Sequence, residues 1–309
     1  MSWLIYAIIG HLANGIAFAI DKALLKTAFS RSATYAGLVG ILSCVVIFAM
    51  PFVSYWPQGW GGWTLAFISG STFILALWAF FAALARAEAS RVVPIVGSLI
   101  PIFTLAGAFA FLAERLADRN FVGFGLLIVA TILLSSSGKI HRPSHQTIWL
   151  AVMSALLFAV SSVTGKAIYD QVGFLGGFIA TRLAAASTAL LLLVVIDRAA
   201  GREAMSMIRP EQRTATSKHK QPGKIAVLLA LVGQSLGAVG FVLVQLAISR
   251  GSASLVNALQ AIQYALLVVI ALLLRDKAKQ ILGEDLSRKT LAVKAVALAL
   301  TAVGMYLLV

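Results

Sequence analysis

The sequence has few charged residues and a single cysteine, and each shortage excludes a class of protein. Only 12% of the 309 residues are charged, whereas 60% are hydrophobic and the mean hydropathy is +0.94. A soluble globule of this length would need many more polar residues to cover its surface, so the composition indicates an integral membrane protein. Because Cys44 has no second cysteine to pair with, an intramolecular disulfide is excluded.

Acidic residues and histidines are also scarce, with 11 and 4 residues respectively against 25 lysines and arginines. The net charge of +14 does not indicate a nucleic-acid-binding protein, because the basic residues lie in short loops between apolar segments. We expect these residues to contact anionic lipid headgroups instead. His141 and His145 are four residues apart, but no carboxylate lies near them in the sequence. We therefore expect no metal, no cofactor and no enzymatic activity.

Long apolar segments fill most of the chain and predict transmembrane helices. A hydrocarbon core about 30 Å thick is crossed by roughly 20 apolar residues, and the backbone must satisfy its hydrogen bonds within each segment. Ten segments fit this requirement, although the fifth is short. They are Ser2–Ile20, Tyr35–Val53, Trp63–Ala85, Val92–Ala113, Phe121–Leu134, Ile148–Tyr169, Val172–Ile196, Ile225–Ile248, Ala253–Leu274 and Leu291–Val309.

Two parts of the chain resemble each other and predict an internal repeat. The run LARAEASRVV from Leu84 aligns with ISRGSASLVN from Ile248, and Asp21-Lys22-Ala23 aligns with Gly165-Lys166-Ala167. A polar break separates five spans from five, and because five is odd, consecutive copies enter the membrane from opposite sides. The predicted repeats are residues 1–140 and 146–309. The predicted fold is therefore an all-α integral membrane protein of ten transmembrane helices in two inverted five-helix repeats.

The run PIVGSLIPIFTLAGAFAFLAERLADRNFVGFGLLIVATILL, which begins at Pro94, carries a family resemblance. It resembles the fourth and fifth helices of EamA-like proteins in the drug/metabolite transporter superfamily, with an early proline and the helix-ending Glu114-Arg115-Leu116. The seventh span resembles the arginine-bearing helix of the same family at Arg182. This resemblance implies a central cavity between the two halves and the export or exchange of small metabolites. It also implies that both termini lie inside the cell.

The distribution of basic residues predicts the opposite orientation. Most lysines and arginines lie in the loops that follow odd-numbered spans, and such loops are expected in the cytoplasm. Both termini would then lie outside. The orientation therefore stays open.

Arg182 is the clearest candidate for a functional residue. It lies deep within the seventh span, where an unpaired charge costs roughly 2.5 to 3.5 kcal/mol and needs a partner or a water-filled cavity. We predict that Arg182 binds substrate. The alternative is a packing role, with the guanidinium satisfied by helix carbonyls or by a carboxylate such as Asp21. Asp21 is also the candidate for proton coupling.

Other polar and aromatic side chains within the spans are predicted to line the cavity. Amides inside a bilayer must find partners, and they can either line a cavity or join helices. The candidates for substrate binding besides Arg182 are Asn14, Lys22, Trp78, Gln234, Gln245, Asn257, Gln260, Gln263 and Tyr264. Asn14 and Lys22 share one face of the first span with His11. Lys166 and Lys294 are instead expected to extend to the membrane surface.

The deep arginine and the scarcity of acidic residues within the spans predict the charge of the substrate. We expect a secondary transporter that moves an anionic or zwitterionic metabolite, such as an amino acid or organic acid, by alternating access. Two alternatives stay open: a lipid or lipid-headgroup flippase of the same fold, and a non-transporting membrane scaffold. The expected partners are the metabolite and membrane lipids, and a homodimer stays open. The expected location is the prokaryotic plasma (inner) membrane.

Overall fold

In the computed structural model, the described part of the chain is helical and contains no strand. The structure describes residues 2–24, 31–86, 89–135, 144–208, 224–274 and 288–308. The helices are α1 (Ser2–Leu24), α2 (Ser32–Leu42), α3 (Gly59–Leu84), α4 (Ala89–Phe111), α5 (Asp118–Ser135), α6 (His145–Leu191), α7 (Arg198–Ile208), α8 (Lys224–Arg250), α9 (Ala253–Ala258), α10 (Ala261–Leu274) and α11 (Arg288–Leu308). A 3-10 helix, Ser43–Phe52, continues α2, and a π-helix, Leu192–Ile196, continues α6.

Seven helical stretches in this part of the chain are long and apolar enough to cross a membrane. The apolar stretch of α4, Ile95–Phe111, is shorter. The α5 helix begins with Asp118 and Arg119, which shortens its apolar part. The prediction of an all-helical membrane protein is therefore confirmed for the described residues. The count of ten spans in two inverted repeats stays a prediction.

The α6 helix folds back on itself at Gly173, where φ is 77° and ψ is 171°. We call its two segments α6a (residues 145–172) and α6b (residues 174–191). Ser69 in α3 bonds to Ser161 in α6a, while a Cβ on the next residue, Gly70, would collide with the carbonyl of Thr181 in α6b. In a straight helix, Ser161 and Thr181 would lie about 30 Å apart. Both meet the same turn of α3, so α6b must run back beside α6a.

Glycines make this reversal possible. L-residues with side chains rarely adopt the backbone conformation of Gly173. A Cβ on Gly176 would collide with the carbonyl of Tyr55, and one on Gly177 would lie 2.7 Å from the ring of Tyr169. The sequence placed the boundary between the sixth and seventh spans between Tyr169 and Val172, close to the observed turn.

Close contacts between helices determine the rest of the packing. The α1 helix packs against α8, α3 against both segments of α6, α5 against α11, and α4 against α6a and α9. In the contact of α1 with α8, a Cβ on Gly10 would lie 2.9 Å from the carbonyl oxygen of Gly240. Because the two backbones approach so closely, the side chain that follows this contact on α8 is brought against the neighbouring helices.

Candidate functional site

Arg182 lies in α6b and is only 3% exposed. Its guanidinium carbon lies 4.5 Å from the ring centre of Phe73, 4.8 Å from that of Phe241 and 5.7 Å from that of Phe178. These rings come from α3, α8 and α6b, so the arginine is enclosed where three segments meet. A cation over a desolvated aromatic ring gains about 2 kcal/mol. We call these three rings and the guanidinium the arginine cage.

The arginine cage does not satisfy the hydrogen-bonding groups of the guanidinium. The Nε of Arg182 is buried without a partner, and in the described part of the chain no hydrogen bond or salt bridge involves this side chain. Asp21, the carboxylate suggested from the sequence, has a side chain outside the described residues. Among the described residues, no opposite charge offsets the burial of this cation, and a buried charge without such a partner is destabilising.

Gln245, one of the predicted residues, lies beside the arginine cage. It is one helical turn from Phe241 on α8, and its Oε1 accepts a hydrogen bond of 3.1 Å from the hydroxyl of Tyr169. Tyr169 comes from α6a and is only 4% exposed. Its ring contacts that of Phe174, which stacks on Phe178 of the cage. Tyr169 was not predicted, because an aromatic residue at the end of an apolar span is not distinctive.

A second group of predicted residues lies at a break between α9 and α10. The backbone N–H of Gln260 donates to the Asn257 carbonyl, 3.2 Å away, instead of continuing the α-helical pattern to Val256. The carbonyl of Val256 is thereby released from the helix. It accepts a hydrogen bond of 2.9 Å from Nε2 of His11 in α1. The ninth predicted span is therefore discontinuous.

Side chains hold this break against the neighbouring helices. Nδ2 of Asn257 donates to Thr104 in α4 at 2.9 Å and to Ser162 in α6a at 3.1 Å. Nε2 of Gln260 donates to the hydroxyl of Tyr264 at 3.1 Å. The structure thus brings Asn257, Gln260 and Tyr264 together, and their contacts join helices.

Two further predicted residues lie at helix crossings. The side chain of Gln263 lies against Gly15 of α1, and Asn14 of α1 packs so closely on Gly240 that a Cβ there would collide with its Oδ1. Tyr264 likewise leaves no room for a Cβ on Gly97 of α4. These polar side chains therefore occupy the spaces that glycines leave between the helices.

The remaining predicted residues form no described contact with Arg182 or lie outside the described part. Trp78 packs against an apolar cluster that includes Ala36 and Ala185, and Phe73 of the arginine cage packs against the same cluster. Gln234 is exposed on α8. The side chains of Asp21 and Lys22 lie outside the described residues.

The expectation that Lys294 extends to the membrane surface is wrong. Lys294 is 1% exposed. It shares a face of α11 with Ala297, which is buried in a cluster with Leu134 and Tyr264, so this face turns toward α5 and α10. Lys166, by contrast, is only partly buried and forms a 2.6 Å salt bridge with the exposed Asp170.

A pocket of about 460 Å³ lies at the ends of α4 and α5, away from the arginine cage. Its lining residues are Ile102, Leu105, Ala106, Phe109, Glu114, Arg115, Leu116 and Phe121. Glu114 also accepts hydrogen bonds from Ser252 and Ser254 at the start of α9. This pocket is therefore largely apolar, with a charged end tied to the second half of the chain.

The chain is similar to known proteins in sequence and in fold. Residues 1–136 match the EamA-like transporter family. One solved structure, described only as "Crystal structure of protein", aligns with 99% of this chain and 96% of that chain, with a TM-score of 0.66 and 18% identity. At this identity, the likeness concerns the fold alone. No curated protein matches the sequence. Residues 1–136 are therefore similar to the EamA-like transporter family, which belongs to the drug/metabolite transporter superfamily.

Proposed function

We propose that this protein is a secondary transporter of a small anionic or zwitterionic metabolite, such as an amino acid or organic acid. It works by alternating access between two inverted five-helix repeats, in the prokaryotic plasma membrane. The family of residues 1–136 supports membrane transport. The charge of the substrate rests on one observation: Arg182 is buried among phenyl rings and has no anionic partner in the described residues.

The pattern of helix contacts supports two repeats. The contact of α1 with α8 corresponds to the contact of α6a with α3. In the same way, the contact of α4 with α6a corresponds to the contact of α10 with α1. The α4 helix also packs on α9, and α5 packs on α11. A two-fold axis that exchanges the two halves would produce each of these relations.

Aligned residues occupy equivalent places in these contacts. The sequence alignment of the two copies pairs Gly10 with Ser154 and Ala76 with Gly240. Gly10 approaches the Gly240 carbonyl in the contact of α1 with α8. Ser154 donates to the Ala76 carbonyl at 3.0 Å in the contact of α6a with α3. Gly10 and Gly240 thus meet in one contact, and the residues aligned with them, Ser154 and Ala76, meet in the other.

The arginine cage can bind and release an anion in a simple cycle. A carboxylate that enters the cage replaces the missing hydrogen-bond acceptors, and the planar guanidinium can hold both of its oxygens. The low exposure of Arg182 supports an occluded state as one step of this cycle. Movement of one repeat against the other then opens the cage to each side in turn.

Counterflow exchange in proteoliposomes tests this proposal. The probes are labelled carboxylates and amino acids, and the wild-type protein should exchange at least one of them with saturation. Arg182→Gln should lower the apparent affinity about tenfold to hundredfold, because a hydrogen bond to a charged group contributes roughly 1.5 to 3 kcal/mol.

Arg119→Gln is the matched control, because Arg119 also lies over an aromatic ring and donates to a carbonyl, but at the exposed surface. This variant should exchange like the wild type. Wild-type exchange by Arg182→Gln would refute the role of the cage.

The pocket at the ends of α4 and α5 favours a second candidate, a flippase for a lipid or its headgroup. Phe109 and Phe121 are more than half exposed beside this pocket, while Glu114 and Arg115 provide a polar end. Such a surface fits an acyl chain with its headgroup. Movement of fluorescent phospholipid between leaflets, without exchange of any soluble anion, would favour this candidate.

A further inference from the structure

We propose that His11 binds the proton that this transporter couples to its substrate, and that proton uptake at Nδ1 is linked to anion binding in the arginine cage. The proposal rests on the proposed transport of an anion. It assigns coupling to a residue in the middle of α1, whereas the sequence suggested Asp21 near the end of that helix.

The hydrogen bonding of His11 leaves one ring nitrogen available. The side chain is 5% exposed, and its Nε2 lies 2.9 Å from the Val256 carbonyl oxygen. A carbonyl can only accept, so Nε2 carries the proton of the neutral ring and Nδ1 has a lone pair. Nδ1 is buried without a partner. A second proton would therefore bind at Nδ1 while the bond to Val256 is kept.

The carbonyl that holds His11 exists as an acceptor only because the ninth span is broken. Gln260 donates to Asn257 and leaves Val256 unpaired within its helix. Broken helices near the bilayer midplane commonly provide ion and substrate sites in transporters, because their released backbone groups can bind ligands. A change in the charge of His11 thus acts directly on the discontinuous helix.

Of the described acidic groups, Glu114 binds the start of α9, where its carboxylate accepts hydrogen bonds from Ser252 and Ser254 and not from His11. The titratable and charged groups on α1 and on α8, α9 and α10 around it are Tyr6, Asp21, Lys22, Lys224, Arg250 and Tyr264. Arg250 and Tyr6 bond to each other, and Tyr264 accepts from Gln260. The side chains of Asp21, Lys22 and Lys224 lie outside the described part. A proton on Nδ1 therefore adds positive charge that an incoming anion would compensate.

The α8 helix connects His11 to the arginine cage. Gly240 of α8 lies against Gly10, the neighbour of His11, while the next residue, Phe241, forms one wall of the cage. An anion in the cage favours the protonated ring, and the protonated ring favours the anion. Because linkage between two binding sites is reciprocal, each ligand raises the affinity for the other by the same factor.

Accumulation driven by a pH gradient tests the coupling with the full-length protein in proteoliposomes. The probe is the labelled carboxylate or amino acid that exchanges best in counterflow, with the membrane potential held at zero. An inward gradient of about one pH unit should drive about tenfold accumulation by the wild type if one proton moves with each substrate molecule.

His11→Gln is the informative variant, because the glutamine amide can donate to Val256 in place of Nε2 but does not titrate. Because it lacks the proton that favours the anion, it should exchange with a lower apparent affinity that does not depend on pH, and it should lose accumulation. His145→Gln, at the exposed start of α6, is the control and should accumulate substrate like the wild type. Tenfold accumulation by His11→Gln would overturn the proposal. Accumulation by the wild type that does not depend on the pH gradient would also overturn the proposal. Exchange that depends on Arg182 would then still support anion transport.

Nitrogen-15 NMR of the imidazole gives a reading that does not need transport. The variant His141→Gln/His145→Gln/His219→Gln leaves His11 as the one histidine. Its ring should show the Nε2-protonated neutral form and convert to imidazolium as the pH falls. This conversion should occur at a higher pH when the exchanged probe is present than when it is absent. If the wild type exchanges none of the probes, the transport proposal fails, and a ring that never takes up a proton overturns the role of His11 as well.

Discussion

Among the described residues, phenyl rings and not carboxylates surround Arg182, and under the proposed function this has opposite effects on stability and on binding. The rings attract the cation but cannot accept its N–H groups. Without a ligand, the protein therefore carries part of the desolvation cost of the charge. Under the proposed function, an anion that enters the arginine cage would remove this cost, so the same residue would weaken the empty protein and strengthen the complex.

We expect Arg182→Met to raise the thermal stability of the detergent-solubilised protein while abolishing exchange. Methionine fills a similar space among phenyl rings without a charge, and replacing a buried charge by an apolar side chain is often stabilising by roughly 1 to 4 kcal/mol. Thermal unfolding followed by size-exclusion chromatography measures the change. A variant that unfolds well below the wild type would mean that the guanidinium stabilises the empty protein.

Single residues also show where the sequence was sufficient and where it was not. A charge within an apolar span stands out, so the depth of Arg182 could be predicted. Its surroundings could not, because Phe73, Phe178 and Phe241 are ordinary apolar residues on three different segments. Lys294 was misplaced because the face of a helix that packs inward depends on its neighbours.

At the scale of helices, backbone contacts decide where the functional side chains lie. Gly70 of α3 leaves no room for a Cβ beside Thr181, the residue that precedes Arg182. The same helix carries Phe73 of the arginine cage. A larger residue at position 70 that pushes α3 away from α6b would therefore also widen the cage.

We expect Gly70→Ala to destabilise the protein by a few kcal/mol, because the new methyl group would force the two backbones apart. Gly125→Ala is the matched control: Gly125 lies within α5 and has open space around its Cα. Alanine there should be neutral or stabilising by about 1 kcal/mol. Thermal unfolding of the two variants provides the comparison, and equal stabilities would contradict the close contact.

The break between α9 and α10 could not be predicted from the sequence. No proline or glycine lies between Asn257 and Tyr264, and the apolar character of the segment continues across it. The break depends on partners from elsewhere, namely His11 on α1 and Thr104 on α4. Periodicity within one segment cannot reveal partners on another.

At the scale of the molecule, the two predicted halves depend on each other. The contacts of α1 with α8, α3 with α6, and α5 with α11 all join residues 1–140 to residues 146–309. Membrane composition, the helical class and the family resemblance followed from the sequence. The pairing of helices did not, because it arises from long-range packing.

We expect residues 1–140 and 146–309, expressed together as separate chains, to associate and restore exchange. Each half alone leaves its contact surfaces uncovered and should be degraded or aggregate. Co-purification through a tag on one half measures the association. A half that is stable and monomeric by itself would show that the contacts between the halves are dispensable.

The reversal at Gly173 has a consequence for biosynthesis. A turn this short leaves almost no chain between α6a and α6b to lie in the aqueous phase. The translocon therefore cannot release the first segment into lipid and handle the second as an independent event. We therefore expect the two segments to leave it together as a helical hairpin that turns at Gly173.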